Sequence, residues 1–179
     1  GELAVGREHS IAKAKWLRSR SVTIAPIMLR IDLKSHHIAA VIPAYRVEAQ
    51  IQGVLRELPP YLKHVIVVDD ASIDGTAGLV AAASRRNRRV ILLRHEKNQG
   101  VGGAMLSGFR KARELGAEIV VKIDGDGQMD MTYLPALLEP LVLGRADYAK
   151  GNRFRDLAAL RKMPLIRRIG NLGLGFMAK

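Results

Sequence analysis

Cysteine is absent from this chain, so neither a disulfide nor a thiolate metal site can form, which fits a reducing compartment. Aromatic residues are scarce at 4%. They are not interleaved with the basic residues as in a nucleic-acid reader, so no nucleic-acid partner is expected. No apolar run approaches the roughly 18 residues that a bilayer-spanning helix needs. The N-terminal stretch also lacks the long apolar centre of a signal peptide. The start at Gly1 rather than Met suggests an engineered or trimmed beginning. Internal repeats and low-complexity tracts are missing. His36, His37, His64 and His95 show no H-x-x-x-H or H-E-x-x-H spacing, which argues against zinc, and His95 is given no role.

What is present is a chain of 179 residues, 48% hydrophobic and 26% charged. That is enough for one domain with a real core. The 29 basic residues outnumber the 17 acidic ones, for a net charge of +12. Such a balance favours anionic partners: nucleotide phosphates, nucleic acid or an acidic membrane surface.

Residues 1–36 read as an N-terminal extension, a peripheral helix or loose arm with basic residues around Trp16. From Ile38 the pattern becomes regular. Apolar runs at Ile38–Ile42, Val65–Val68, Val90–Leu93 and Ile119–Ile123 predict buried strands, with a further short strand near Tyr148. Helical spacing predicts helices over Glu48–Leu58, Thr76–Ala83, about Gly103–Leu115 and Tyr133–Leu143, the last tolerating Pro135 in its first turn. Strands alternating with helices predict an α/β fold, a mainly parallel Rossmann-like sheet covered on both faces. Ligands of such sheets bind outside the carboxyl ends of the strands.

Polar residues gather at those ends. V-V-K-I-D-G-D-G-Q places Asp124 and Asp126 two residues apart, where an extended chain would point both to one side. Gly125 and Gly127 allow a sharp turn and close approach of a ligand. Two carboxylates plus the amide oxygen of Gln128 suit Mg2+ or Mn2+ holding phosphates, although a plain polar turn reads the same way. Asp69 and Asp70 end the second strand, where a carboxylate can accept from a base N–H or ribose hydroxyls; Asp70 is the better candidate. Ser72 or Asp74 reads as a helix cap. In N-Q-G-V-G-G-A-M the helix start around Gly100 can offer backbone N–H groups to an anion. Tight helix–sheet packing explains Gly102 and Gly103 equally well. Met105 spoils a dinucleotide fingerprint, and no P-loop is present. Arg153, in G-N-R-F, can reach a diphosphate. Residues 161–179 mix basic and apolar residues, suiting either a membrane interface or a helix packed on the sheet.

Together, V-I-P-A-Y, V-V-D-D-A-S-x-D-G-T, N-Q-G-V-G-G-A, K-I-D-G-D-G-Q and G-N-R-F resemble the family 2 glycosyltransferases of GT-A fold. The resemblance is greatest to the dolichyl-phosphate mannosyltransferase-like, polyprenyl-phosphate branch. It implies a metal-dependent, inverting transfer of a sugar from a nucleoside-diphosphate sugar to a polyprenyl phosphate, at the cytoplasmic face of a membrane. It sets the catalytic domain at 37–160, with Pro43, Ala44 and Tyr45 against the base and Asp70 bonded to it. Asp69, Gly100, Asp124 and Gly125 would help hold the nucleotide. Asp124, Asp126 and Gln128 would hold the metal, and Arg153 would contact a phosphate. The family often reads P-x-Y-N-E, whereas here the acid is displaced to Glu48, which leans the reading towards a UDP-sugar over GDP-mannose. The pattern stops at Lys179, short of the family's acceptor-side motif, so an N-terminal catalytic fragment is expected, able to bind nucleotide yet inactive by itself. A sugar-nucleotide pyrophosphorylase and a basic nucleic-acid-binding module are the alternatives.

Overall fold

The computed structural model describes residues 31–151. The expected arm falls almost wholly outside them, as do Arg153 and the basic segment 161–179. The elements are β1 (Ile38–Ala44), α1 (Glu48–Glu57), β2 (Leu62–Asp69), α2 (Thr76–Arg86), β3 (Val90–Arg94), α3 (Gly100–Glu114), β4 (Ile119–Lys122), a 3-10 turn (Met131–Tyr133) and α4 (Leu134–Val142).

The four strands form one sheet in the order β3-β2-β1-β4, every pair parallel. Central strands of such sheets read as continuous apolar runs because helices cover both faces. β1 and β2 do so, with Ile38, Val41, Ile42, Ile66, Val67 and Val68 fully buried. Their alternation divides the core. Ile38, Ala40, Ile42, Val65 and Val67 pack with Ile51 and Val54 of α1, Val80 of α2 and Leu134 and Leu138 of α4. Ala39, Val41, Ile66 and Val68 face the other way, onto Ala104 and Ala112 of α3. Each fully buried Ile or Leu contributes about 1.5–3 kcal/mol relative to exposure.

Three expectations need correction. No strand forms at Tyr148, which is exposed. The sequence A-D-Y-A-K around it offers no apolar run to bury and finds no strand partner among the described residues. β4 stops at Lys122, so Asp124 and Asp126 lie on a turn and not on the strand itself. The third helix starts at Gly100, and neither Gly102 nor Gly103 packs on the sheet. Gly102 has open space around it, and the nearest atoms a Cβ on Gly103 would meet belong to Gln99 of its own helix start. The close helix–sheet contact is instead at Gly108, over Val41.

At the amino ends of β1 and β2 the rings of His37 and His64 lie 5.0 Å apart. Burial, and then the neighbouring His37, lower the His64 pKa. The unfolded chain therefore binds this proton more readily than the folded one. The stability contribution is complete above the ordinary histidine value of about 6.5 and is lost as the pH falls below it. Urea midpoints measured from pH 8 to pH 5 should decline across that window, and less steeply in His64→Leu.

Candidate functional site

The order 3-2-1-4 creates a topological switch. After β1 the chain builds outward through β2 and β3, then returns to place β4 on β1's other side. Connections diverge there, opening a crevice at the strands' carboxyl ends. It has a volume of about 220 Å3 and is lined by Pro43, Ala44, Tyr45 and Val47 after β1, and by Asp124, Gly125 and Asp126 after β4. Asp70, following β2, and Val101 and Ala104 of α3 complete it. Asp70 and the Asp124–Asp126 pair, from two separate motif segments, thus share one wall system.

The turn carrying the two carboxylates is held against β1. The Ile123 N–H donates to Val41 O at 3.0 Å, and Gly125 is buried with its would-be Cβ only 3.2 Å from Pro43 O. Any side chain there would press the turn off the β1 end. The Gln128 N–H donates to Asp126 Oδ1 at 3.0 Å, closing the turn, and Gly127 adopts φ +71°. Lys122 Nζ donates to Asp124 Oδ1. Each carboxylate keeps a second oxygen outside these contacts. Two hard oxygen donors beside a phosphate-sized crevice fit Mg2+ or Mn2+ chemically. Gln128 is exposed and lines a neighbouring hollow with Glu57, Met129, Asp130, Met131 and Thr132. Among the described residues no three His or acidic side chains gather as a metal cluster.

Asp69 and Asp70 part company. Strand alternation turns Asp69 to the side of Val65 and Val67, where it is fully buried and outside the crevice lining. Its nearest charge is Arg94 Nε, 3.5 Å from Oδ2, and neither carboxylate oxygen has a hydrogen bond among the described residues. Asp70 is 3% exposed, with its N–H donating to Ala44 O at 2.9 Å. Burial alone would raise its pKa. The backbone N–H of Gln99, the His95 side chain and the N–H of Gly100 outweigh that, and hold the carboxyl below its ordinary range. Gly100 itself, at φ +74°, stands at the helix start and not among the lining residues.

The loop after β2 is stitched to the loop after β1. Ser72 Oγ accepts from the Arg46 N–H and Thr76 Oγ1 from the Val47 N–H, both at 3.0 Å. Asp74 accepts from the Glu48 N–H at 3.3 Å, and Glu48 Oε2 accepts from the Gly75 N–H at 2.8 Å. Ser72 and Asp74 therefore tie two loops together. The displaced acid Glu48 belongs to this stitch and is not among the crevice-lining residues. Arg46 and Ala71 take positive φ to make these turns, and the Arg46 guanidinium lies 5.1 Å from the centroid of the Tyr45 ring.

The residue that sequence reasoning passed over is His95. It sits just past β3, half-buried, with Nδ1 2.7 Å from Asp70 Oδ1 and Nε2 2.8 Å from Ser107 Oγ. Its one signal was position, a polar residue at a strand end beside the glycine loop.

The family model for Glycosyl transferase family 2 matches residues 39–177 of this chain. The chain belongs to glycosyl transferase family 2. Among relatives, the UDP-N-acetylglucosamine–dolichyl-phosphate N-acetylglucosaminyltransferase of Methanococcus voltae is 35% identical over 153 residues, covering 78% of this chain. The undecaprenyl-phosphate mannosyltransferase of Micrococcus luteus is 34% identical over 119 residues, covering 65% of this chain. This family 2 chain spans 61% of the first relative's length and 48% of the second's. A solved mannosyltransferase of Pyrobaculum calidifontis, in complex with GDP-Man and Mn2+, is 23% identical at a TM-score of 0.49. That similarity covers 59% of this chain and 33% of the solved one. Among the described residues no helix is long and apolar enough to cross a membrane.

Proposed function

We propose that this family 2 chain binds a nucleoside-diphosphate sugar and forms the donor half of an inverting transferase acting on a polyprenyl phosphate at a membrane surface. The observation that carries the reading is the shared crevice: Asp70, Asp124 and Asp126 converge at the switch point between β1 and β4. Tyr45 and Pro43 offer flat and apolar surface to a base. The ionised Asp70 can only accept, so it selects a base edge that donates an N–H, as uracil and guanine do. UDP is favoured, on the character of the named archaeal relative's donor.

Asp124 and Asp126 would hold the divalent cation and orient the diphosphate. When bound, a divalent ion supplies charge that offsets the negative charge growing on the departing diphosphate as the C1–O bond breaks. Asp126 reaches solvent and remains open to that role, while Lys122 keeps Asp124 pinned at the crevice edge. A lipid phosphate oxygen is already ionised near neutral pH, so this chemistry needs no strong base from the chain. The net charge of +12 suits anionic donor, acceptor and lipid surface together. Arg153 keeps its proposed part at the phosphates.

Titrating UDP, GDP and their sugar derivatives with and without Mn2+ tests the reading. UDP binding strengthened by Mn2+ is the expected result. Tighter binding of GDP would overturn the base preference, and binding of neither nucleotide would overturn the donor site.

A further inference from the structure

We propose that His95 is a positioning residue for the donor nucleotide: it spans from Ser107 on α3 to Asp70 after β2 and fixes the carboxylate that meets the base. The proposal rests on the reading of Asp70 as a nucleotide contact. Four features carry it. His95 and Asp70 are nearly fully enclosed, with side-chain exposures of 9% and 4%, so their contact is not a solvated surface pair. Both ring nitrogens are engaged, at 2.7 Å to Asp70 Oδ1 and 2.8 Å to Ser107 Oγ. The Gln99 N–H donates to that same Oδ1 at 2.9 Å. The His95 N–H donates to Asp69 O at 2.9 Å, so the ring's own backbone is anchored to β2.

The consequence is directional. With the Ser107 hydroxyl donating to Nε2, the imidazole proton resides on Nδ1 and points at Asp70. Two donors then converge on Oδ1, and Oδ2 is the oxygen left for a ligand in the crevice. Held by two fixed donors, the carboxylate cannot rotate to present a protonated face, in keeping with its lowered pKa. His95 touches no lining surface itself, being absent from the crevice wall. It therefore acts through Asp70 alone.

The test is UDP titration in Mn2+ with the full chain and with Asp70→Ala, His95→Phe, His95→Asn and the double variant Asp70→Ala/His95→Phe. Thermal melts establish that each is folded. His95→Phe removes the donor and should weaken UDP on the order of tenfold or more, the range for a hydrogen bond to a charged group. His95→Asn restores an N–H near the Nδ1 position and should recover affinity to within about threefold. The double variant should bind no more weakly than Asp70→Ala, because the two residues act as a unit. Full UDP affinity in Asp70→Ala would overturn the underlying site reading. A loss in Asp70→Ala joined to normal binding by His95→Phe, or to fully additive losses, would overturn the positioning role alone. Equal losses in His95→Asn and His95→Phe would do the same, since a packing role makes no distinction between donors.

Discussion

Asp126→Asn is expected to abolish the strengthening of UDP binding by Mn2+ while leaving the fold intact. Asparagine preserves the turn, because its carbonyl oxygen can accept the Gln128 N–H now bound at 3.0 Å. What it removes is the negative charge of one of the two carboxylates, Asp124 and Asp126, on the turn after β4 that faces the crevice. Unit charges about 4 Å apart interact by about 4 kcal/mol at the effective dielectric of a protein surface, so losing one carboxylate weakens a divalent ion's hold substantially. Part of that loss is returned by solvent, which leaves an expected fall on the order of tenfold to hundredfold in the Mn2+-dependent affinity. Metal-free UDP binding should hardly move, or rise slightly, because a carboxylate that repels the diphosphate has gone. The melting temperature should stay within a few degrees, since Asp126 is exposed and its one bond is retained. Asp124→Asn should act in the same direction and also release Lys122. Calorimetric titration at zero and millimolar Mn2+ decides the matter. If Asp126→Asn binds UDP and Mn2+ as the parent does, the two carboxylates are a turn and nothing more.

Much of this arrangement was written plainly in the chain. The apolar runs at Ile38, Val65, Val90 and Ile119 located all four strands, most plainly the central β1 and β2, which are buried on both faces and have few polar positions to blur them. The carboxylates after β2 and β4 marked the strand ends where a ligand belongs. The pairing of Asp70 with Asp126 in one crevice depends on the strand order, and no local pattern encodes which strand returns to β1's free side. The choice between Asp69 and Asp70 was half legible. Alternation says they face opposite sides, but only the folded sheet shows that Asp70 lines the crevice while Asp69 is buried outside its lining. His95 was opaque for a further reason. Its partners lie 25 residues before it and 12 after it, and its role exists only where three segments meet. Tyr148 misled because an aromatic between alanines and charged residues has strand propensity without a neighbour to pair with among the described residues.

Gly108→Val should destabilise the domain more than any change at the crevice. Gly108 lies mid-helix in α3, and a Cβ built there falls 2.2 Å from Val41 Cγ1. Val41 is fully buried in β1, the strand hydrogen-bonded to both β2 and β4, so it has no solvent-side space to retreat into. Relief requires lifting α3 from the sheet, which also loosens Ala104 and Ala112 in the same small-residue stripe. Overpacking of this kind costs about 1–3 kcal/mol for one added carbon, and more for a branched side chain. Alanine is the sharper probe because two effects oppose each other. Removing a mid-helix glycine gains roughly 1 kcal/mol of helix propensity, so Gly108→Ala loses stability only if the contact with Val41 dominates. Gly53, inside α1 with nothing within 4 Å of its would-be Cβ, isolates the propensity term. Urea midpoints should therefore rise in Gly53→Ala, fall in Gly108→Ala and fall furthest in Gly108→Val. Adding Val41→Ala to Gly108→Ala should return part of the loss by vacating the clashing methyls, as expected of residues in direct contact. A rise in Gly108→Ala equal to that in Gly53→Ala would mean that α3 stands further from β1 than the close approach at Val41 requires. In that case the seat of Val101 and Ala104 on the crevice wall would have to be redrawn.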